Sequence, residues 1–86
     1  MAEYRIDLAR SARKQLESLP DSMALRVLTR IETLAQTPRP NGCRKLVGSD
    51  NLWRIRIGDY RMICSIDDGK QIVDVNAVRH RREAYE

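Results

Sequence analysis

Arg54, Arg56 and Arg61 carry the strongest chemical signal in the chain, because their spacing brings three guanidinium groups to one surface. In residues 52–66, LWRIRIGDYRMICSI, apolar and cationic side chains alternate. Successive residues of a strand point to opposite faces, so Trp53, Ile55 and Ile57 share one face and Arg54 and Arg56 the other. Gly58-Asp59 is a two-residue turn signal. It pairs Ile57 with Tyr60, Ile55 with Met62 and Arg56 with Arg61. Like charges directly opposite each other destabilise a sheet, by an amount on the order of 0.2–1 kcal/mol. A hairpin that keeps such a pair points to a bound anion, with a polyphosphate chain as the first candidate.

The chemistry that suits such a patch is metal-free RNA cleavage. An RNA 2′-hydroxyl attacks its own neighbouring phosphorus and expels the next 5′-oxygen. The step needs in-line positioning, charge stabilisation on the phosphorane and proton transfer. The three arginines suit the charge requirement. Arginine is a poor general base, with a pKa above ~12. His80 is the one conventional acid or base in the basic C-terminal segment, RHRREAYE. Tyr85 could stack on a base, as in single-strand recognition. Arg79, Arg82 and Lys45 are further candidates for phosphate contact. Each has a plainer reading: a terminal tyrosine packs on the domain, a lone histidine sits on the surface, residues 79–82 form a solvated end, and Lys45 flanks a turn. Convergence of three arginines is harder to dismiss. One histidine, two distant cysteines and scattered carboxylates give no metal-ligand set. A Gly-rich phosphate loop and a GxSxG elbow are both absent. A Cys64–His80 nucleophile pair is disfavoured, because Cys64 has the inward parity of its strand.

The elements that must position these side chains fit within one domain spanning residues 1–86. A chain of this length buries only ~60–65% of its unfolded surface, so it builds a single small core. There is no phenylalanine, and Val, Ile, Leu and one Trp must fill that core. The net charge is +4, with 13 Arg against 3 Lys. Arginine's planar fork matches phosphate oxygens two at a time, which favours a nucleic-acid or acidic-protein partner. A GC-rich genome would raise Arg over Lys as well, but would not place Arg54, Arg56 and Arg61 on one face. Cys43 and Cys64 form no CxxC, the N-terminus MAEYRIDLAR lacks the apolar core of a signal peptide, and no apolar run approaches membrane-spanning length. A cytoplasmic protein with reduced thiols, no cofactor and no membrane partner is expected.

Alternation of Tyr4, Ile6 and Leu8 with Arg5 and Asp7 predicts a first strand. Leu8, Ala12, Leu16 and Leu19 follow helical spacing until Pro20 ends the helix. Asp21 or Ser22 can cap a second helix, whose stripe is Ala24, Leu28, Ile31 and Ala35, widened by Val27 and Leu34. Residues 37–42, TPRPNG, form a loop, and residues 43–47 a short strand. After the arginine hairpin, Asp68-Gly69 predicts another tight turn and residues 71–78 a last strand. That turn would place Asn76 opposite Arg61, with Val78 and His80 continuing toward the arginine patch. The expected fold is α+β: an N-terminal strand and an antiparallel helix pair packed on one face of a curved, mainly antiparallel four-stranded sheet. Its inward face holds Trp53, Ile55, Ile57, Met62, Cys64, Ile66, Val73 and Val75.

Taken together, YRIDL (4–8), the Leu19-Pro20 helix end, PRP (38–40), KLVG (45–48), LWRIRIGDYRMI (52–63) and VRHRREAY (78–85) resemble the RelE/ParE superfamily of toxins from type II toxin–antitoxin pairs. The likeness covers nearly the whole chain and is closer to the RelE-like branch. It implies a ribosome-dependent mRNA endoribonuclease that cuts A-site codons by 2′-hydroxyl attack. Carried over by position, Arg54 and Arg56 stand where well-known members have lysines, and Arg61 matches the phosphate-neutralising arginine. Arg81 matches the arginine on the leaving-group side, Tyr85 the base-stacking tyrosine, and His80 is similar to a histidine that some members use in proton transfer. The resemblance also implies a cognate antitoxin, contact with ribosome and mRNA, and operator DNA reached only through the antitoxin.

Loss of both hairpin lysines is a departure, since Arg56 cannot easily act as a base. Either His80 takes over proton transfer or Arg56 acts electrostatically at a lower rate. Two alternatives follow from the same superfamily: a ParE-like, non-enzymatic inhibitor of DNA gyrase, or a degenerate toxin kept for antitoxin binding and autorepression.

Overall fold

The computed structural model describes residues 3–49 and 51–80. The chain forms β1 (Arg5–Leu8), α1 (Arg10–Glu17), α2 (Asp21–Leu34), β2 (Arg44–Lys45), β3 (Leu52–Ile57), β4 (Tyr60–Asp67) and β5 (Ile72–His80). The strands make one sheet in the order β1-β5-β4-β3-β2. β1 runs parallel to β5 and every other pairing is antiparallel. The sheet thus has five strands rather than four, because the N-terminal strand joins it at the β5 edge. The α1–α2 segment then carries the chain from β1 at one edge of the sheet to β2 at the other.

Both helices lie on one face of the sheet, and the core fills the space between. Ala12 and Leu16 of α1 and Val27, Ile31 and Leu34 of α2 meet Ile55, Ile57, Met62, Cys64, Ile66, Val73, Val75 and Val78. Every member of the inward set read from alternation is buried except Trp53, half-buried at its margin, and Val78 joins them against expectation. α2 departs from expectation in two ways. Leu28 is 43% exposed, because the helix turns Val27 rather than Leu28 onto the sheet, in step with Ile31 and Leu34 at helical spacing. Its N-cap is Pro20, with no side-chain cap, so Asp21 lies in the first turn. There the carboxylate faces the positive end of the helix dipole instead of capping it.

Turn chemistry fixes the registers. Gly58 has φ +60 while Asp59 keeps a negative φ, the pattern of a type II′ hairpin turn. Arg56 pairs with Arg61, Ile55 with Met62 and Ile57 with Tyr60, as alternation and the Gly-Asp signal predict. The next connection is longer than expected. Asp67 pairs with Ile72, so residues 68–71 form the loop, and Gln71 holds a left-handed φ of 57. The Asp67 carboxylate accepts a hydrogen bond from the Lys70 amide at 3.0 Å and closes the bend.

Asp68 anchors this loop to the rest of the fold. Its carboxylate accepts two hydrogen bonds from Arg39, at 3.1 and 3.0 Å, and one from the Tyr4 hydroxyl at 2.7 Å. The same Arg39 guanidinium lies 4.8 Å over the Trp53 ring. Arg39 first, then Tyr4, holds the Asp68 carboxyl below the ordinary carboxylate range, and Asp68 in turn raises the Tyr4 phenol. A depressed carboxylate adds stability above its unfolded-state pKa and loses it as pH falls through the folded one. Asp68→Asn should therefore lower the melting midpoint at pH 7. The gap from wild type should close as pH drops below the ordinary carboxylate range. Melts at pH 7 and pH 3 that kept a constant gap would remove this pair as the cause.

Cys64 is fully buried, and burial pushes its thiol up to about 12. A shift of that size leaves about 10³-fold less thiolate than a free cysteine offers at neutral pH. Iodoacetamide should alkylate half-buried Cys43 in the native protein and reach Cys64 only on unfolding. Mass spectrometry showing both sites labelled at one rate would contradict this placement.

Candidate functional site

The face of the sheet opposite the helices carries the basic cluster. Arg54 and Arg56 project from β3 on that face and Arg61 projects from β4, so the three predicted arginines do come together. Two further arginines join them through pairing. Arg44 of β2 lies opposite Arg54, and Arg79 of β5 lies opposite Arg61. Arg56, Arg61 and Arg79 therefore form one rung across three adjacent strands, with Arg44 and Arg54 on the next rung but one. Partial burial, and then the charges of Arg61, Arg56 and Arg44, hold the Arg54 pKa below the ordinary guanidinium value. That mutual repulsion is what a bound anion would relieve.

The acidic groups of this face lie at its other end. Asp7 of β1 pairs with Asp74 of β5, and Asp7 also accepts the Arg5 guanidinium at 3.0 Å. The face is thus polarised along the sheet, basic toward the β3–β4 turn and acidic toward β1. A polyanion has one end to choose.

A β-bulge decides what β5 contributes. Ile63 pairs with Ala77 but Cys64 with Val75, leaving Asn76 as the extra residue. From that point the faces exchange relative to a regular strand. Val78 turns into the core opposite Met62, and Arg79 turns outward opposite Arg61. This corrects the expected register, in which Asn76 faced Arg61 and Val78 and His80 continued toward the arginines. His80 instead pairs with Tyr60 on the helix-side parity, ring edge against ring face, with centroids 5.1 Å apart. Lys45 likewise pairs with Trp53 and so falls on the parity opposite to the arginines, exposed at the sheet edge. Arg81, Arg82 and Tyr85 lie outside the described residues.

The bulge is held by α1. The Ser11 hydroxyl donates to the Asn76 carbonyl at 3.0 Å, and the Gln15 side-chain oxygen accepts from the Val78 amide at 2.6 Å. Two polar side chains on an otherwise apolar contact thus satisfy the backbone groups that the bulge takes out of the ladder.

Chemically, the rung offers fixed positive charge and forked donors but no group that titrates near neutrality. Among the described residues no cluster of His, Cys, Asp and Glu could hold a metal ion. No helix among them is long and apolar enough to cross a membrane.

Residues 6–85 match the family model described as the ParE toxin of the type II toxin–antitoxin system parDE. The chain is 28% identical over 86 residues to the protein named RelE1 of Methanocaldococcus jannaschii, covering 96% of each. Among solved structures it is similar to the archaeal RelE–RelB complex of Pyrococcus horikoshii OT3, at 30% identity and a TM-score of 0.83, over 94% of this chain and 98% of that one. It is similar also to the toxin–antitoxin complex RelBE2 of Mycobacterium tuberculosis, at 26% identity and a TM-score of 0.80, over 92% of this chain and 99% of that one.

Proposed function

From the premise that this chain belongs to the ParE toxin family of type II toxin–antitoxin systems and is RelE-like within it, we propose that it is a ribosome-dependent mRNA endoribonuclease. The observation that carries this is the rung Arg56–Arg61–Arg79, flanked by Arg54 and Arg44 at the basic end of the open sheet face. The substrate 2′-oxygen forms a bond to the adjacent phosphorus, and the bond from that phosphorus to the next 5′-oxygen breaks. The products are a 2′,3′-cyclic phosphate and a 5′-hydroxyl. Negative charge peaks on the phosphorane, where preorganised guanidinium groups lower the barrier without having to reorganise.

Arg61 is central to the rung and is assigned the phosphorane charge, with Arg56 beside it. Arg54, Arg44 and Arg79 hold the flanking phosphates. The resemblance assigns Arg81 to the leaving-group oxygen and Tyr85 to base stacking. His80, on the other parity and against Tyr60, supports that end of β5, and its imidazole reaches the substrate only around the strand end. The ribosome supplies the missing constraint by presenting the codon in a fixed geometry, which matters more when the protein's own acid–base groups are weak. A cognate antitoxin of the RelB type, like those in the complexes this chain resembles, would cover the basic face.

The test is primer extension on ribosomes stalled with an empty A site, after addition of antitoxin-free protein, with free mRNA as control. Cuts inside the A-site codon that require ribosomes are expected. The rung's lack of a neutral-range proton-transfer group favours one second reading, a non-enzymatic gyrase inhibitor of the ParE kind. Folded, toxic protein that left mRNA intact and blocked gyrase supercoiling would establish that reading instead.

A further inference from the structure

α2 presents two different flanks beside its buried stripe. At 3.6 residues per turn, Arg26 and Arg30 fall to one side of Val27 and Ile31, while Leu25, Leu28 and Glu32 fall to the other. The arginine flank approaches the hairpin tip closely. A Cβ added to Gly58 would stand 3.3 Å from an Arg26 guanidinium nitrogen. Between this flank and the tip runs a solvent-open cleft of about 260 Å³, lined by Arg26, Thr29, Arg30, Arg56, Ile57 and Gly58. Three of these six residues are arginines and none is acidic. No ion pair engages Arg26, Arg30 or Arg56 among the described residues.

We propose that this cleft is a second phosphate site, holding the backbone of single-stranded RNA where it leaves the arginine face over the edge of β3. β2 pairs only with Trp53 and Arg54, so that edge is uncovered from Ile55 to the turn. Arg56 belongs to both surfaces: its strand position lies in the arginine rung, and it also lines the cleft. The positive surface is therefore continuous around the edge, which suits one long polyanion better than two separate ligands. Arginine forks and the Thr29 hydroxyl match phosphate oxygens. An acidic protein segment is the less favoured occupant, since a docked peptide needs apolar anchors. The one large apolar side chain in the wall, Ile57, is 4% exposed, and the exposed Leu25 and Leu28 lie on the opposite flank.

The inference rests on RNA as the ligand of the arginine face, and its test separates the two. Affinity for a short fluorescent single-stranded RNA is measured by anisotropy over a range of salt, for wild type, Arg26→Ala/Arg30→Ala and a control pair on α1, Arg10→Ala/Arg13→Ala. Each lost contact to a single strand lowers the slope of log K against log salt by about 0.7, so the α2 pair should lose about 1.4 and the α1 pair far less. Circular dichroism checks that all three are folded. Equal losses in the two variants, or none in the α2 pair, would overturn the proposal. So would an α2 pair that kept its RNA slope but no longer bound a polyglutamate peptide, or a wild type without RNA affinity. A slope loss confined to the α2 pair in a protein that never cuts mRNA would retain the cleft and remove the nuclease. Cutting with an unchanged slope would remove the cleft alone.

Discussion

Arg61→Ala is expected to slow A-site cleavage by about 10²–10³-fold, the usual cost of removing one preorganised charge-stabilising donor. The same substitution should leave the protein folded, since Arg61 lies outside the hydrophobic core. Arg61 stands directly between Arg56 and Arg79, so truncation removes two like-charge oppositions. Each costs the folded sheet on the order of tenths of a kcal/mol. Loss of activity with the fold intact is the signature of a residue kept for its ligand rather than for the fold. Arg79→Ala, at the exposed end of the rung, should cost less activity. Single-turnover cleavage and calorimetry on the same samples measure both quantities. A folded Arg61→Ala protein that cut at the wild-type rate would take the phosphorane away from this rung, and one that unfolded would make Arg61 structural.

What alternation and turn chemistry could reveal about this site ends at Ile66. Up to there the signals are local. Apolar and charged residues alternate through 52–66, Gly58 supplies the positive φ that a type II′ turn needs, and every predicted pair from Ile57–Tyr60 to Arg56–Arg61 is found. Beyond it, two displacements add. Residues 68–71 make a four-residue loop in place of a two-residue turn, which moves the β5 register by two and preserves its faces. The bulge at Asn76 moves it by one more and exchanges them, so that Arg79 rather than Asn76 meets Arg61. Neither is a local property. The loop is tied down by Arg39 and Tyr4, and the bulge by α1, all distant in sequence. Arg44 escaped notice for a related reason. A two-residue strand has no period to detect, and only its pairing with Arg54 places it on the basic face. Leu28 shows the same limit in a helix: the leucine and valine stripes of α2 overlap, and contact with the sheet decides between them.

Gln15→Ala should show how far the rung depends on that bulge. The Gln15 oxygen accepts the Val78 amide at 2.6 Å in a partly buried hydrogen bond, and the substitution leaves this donor without its acceptor. A fully buried donor left unsatisfied costs about 1–3 kcal/mol, and a partly buried one costs toward the lower end of that range. A domain with a stability of about 5 kcal/mol or more stays mostly folded after such a loss, so a change in rate is not a change in the folded fraction. The release acts on the register where Val78 turns inward and Arg79 outward, one residue before His80 and two before Arg81. Cleavage should therefore fall further than unfolding explains, and amide exchange at Val78 should quicken more than at Val73 on the same strand. Gln15→Glu keeps an acceptor, and a charged one forms a stronger hydrogen bond, so it should restore slow exchange at Val78 and most of the rate. If Gln15→Ala left Val78 exchange and cleavage at wild-type values, the bulge would be held by the sheet itself, and α1 would have no part in aiming Arg79. If it lowered stability and rate in proportion, Gln15 would make a structural hydrogen bond like any other. Only a rate loss in excess of the stability loss, reversed by glutamate, ties the helix to the arginine rung on the far side of the sheet.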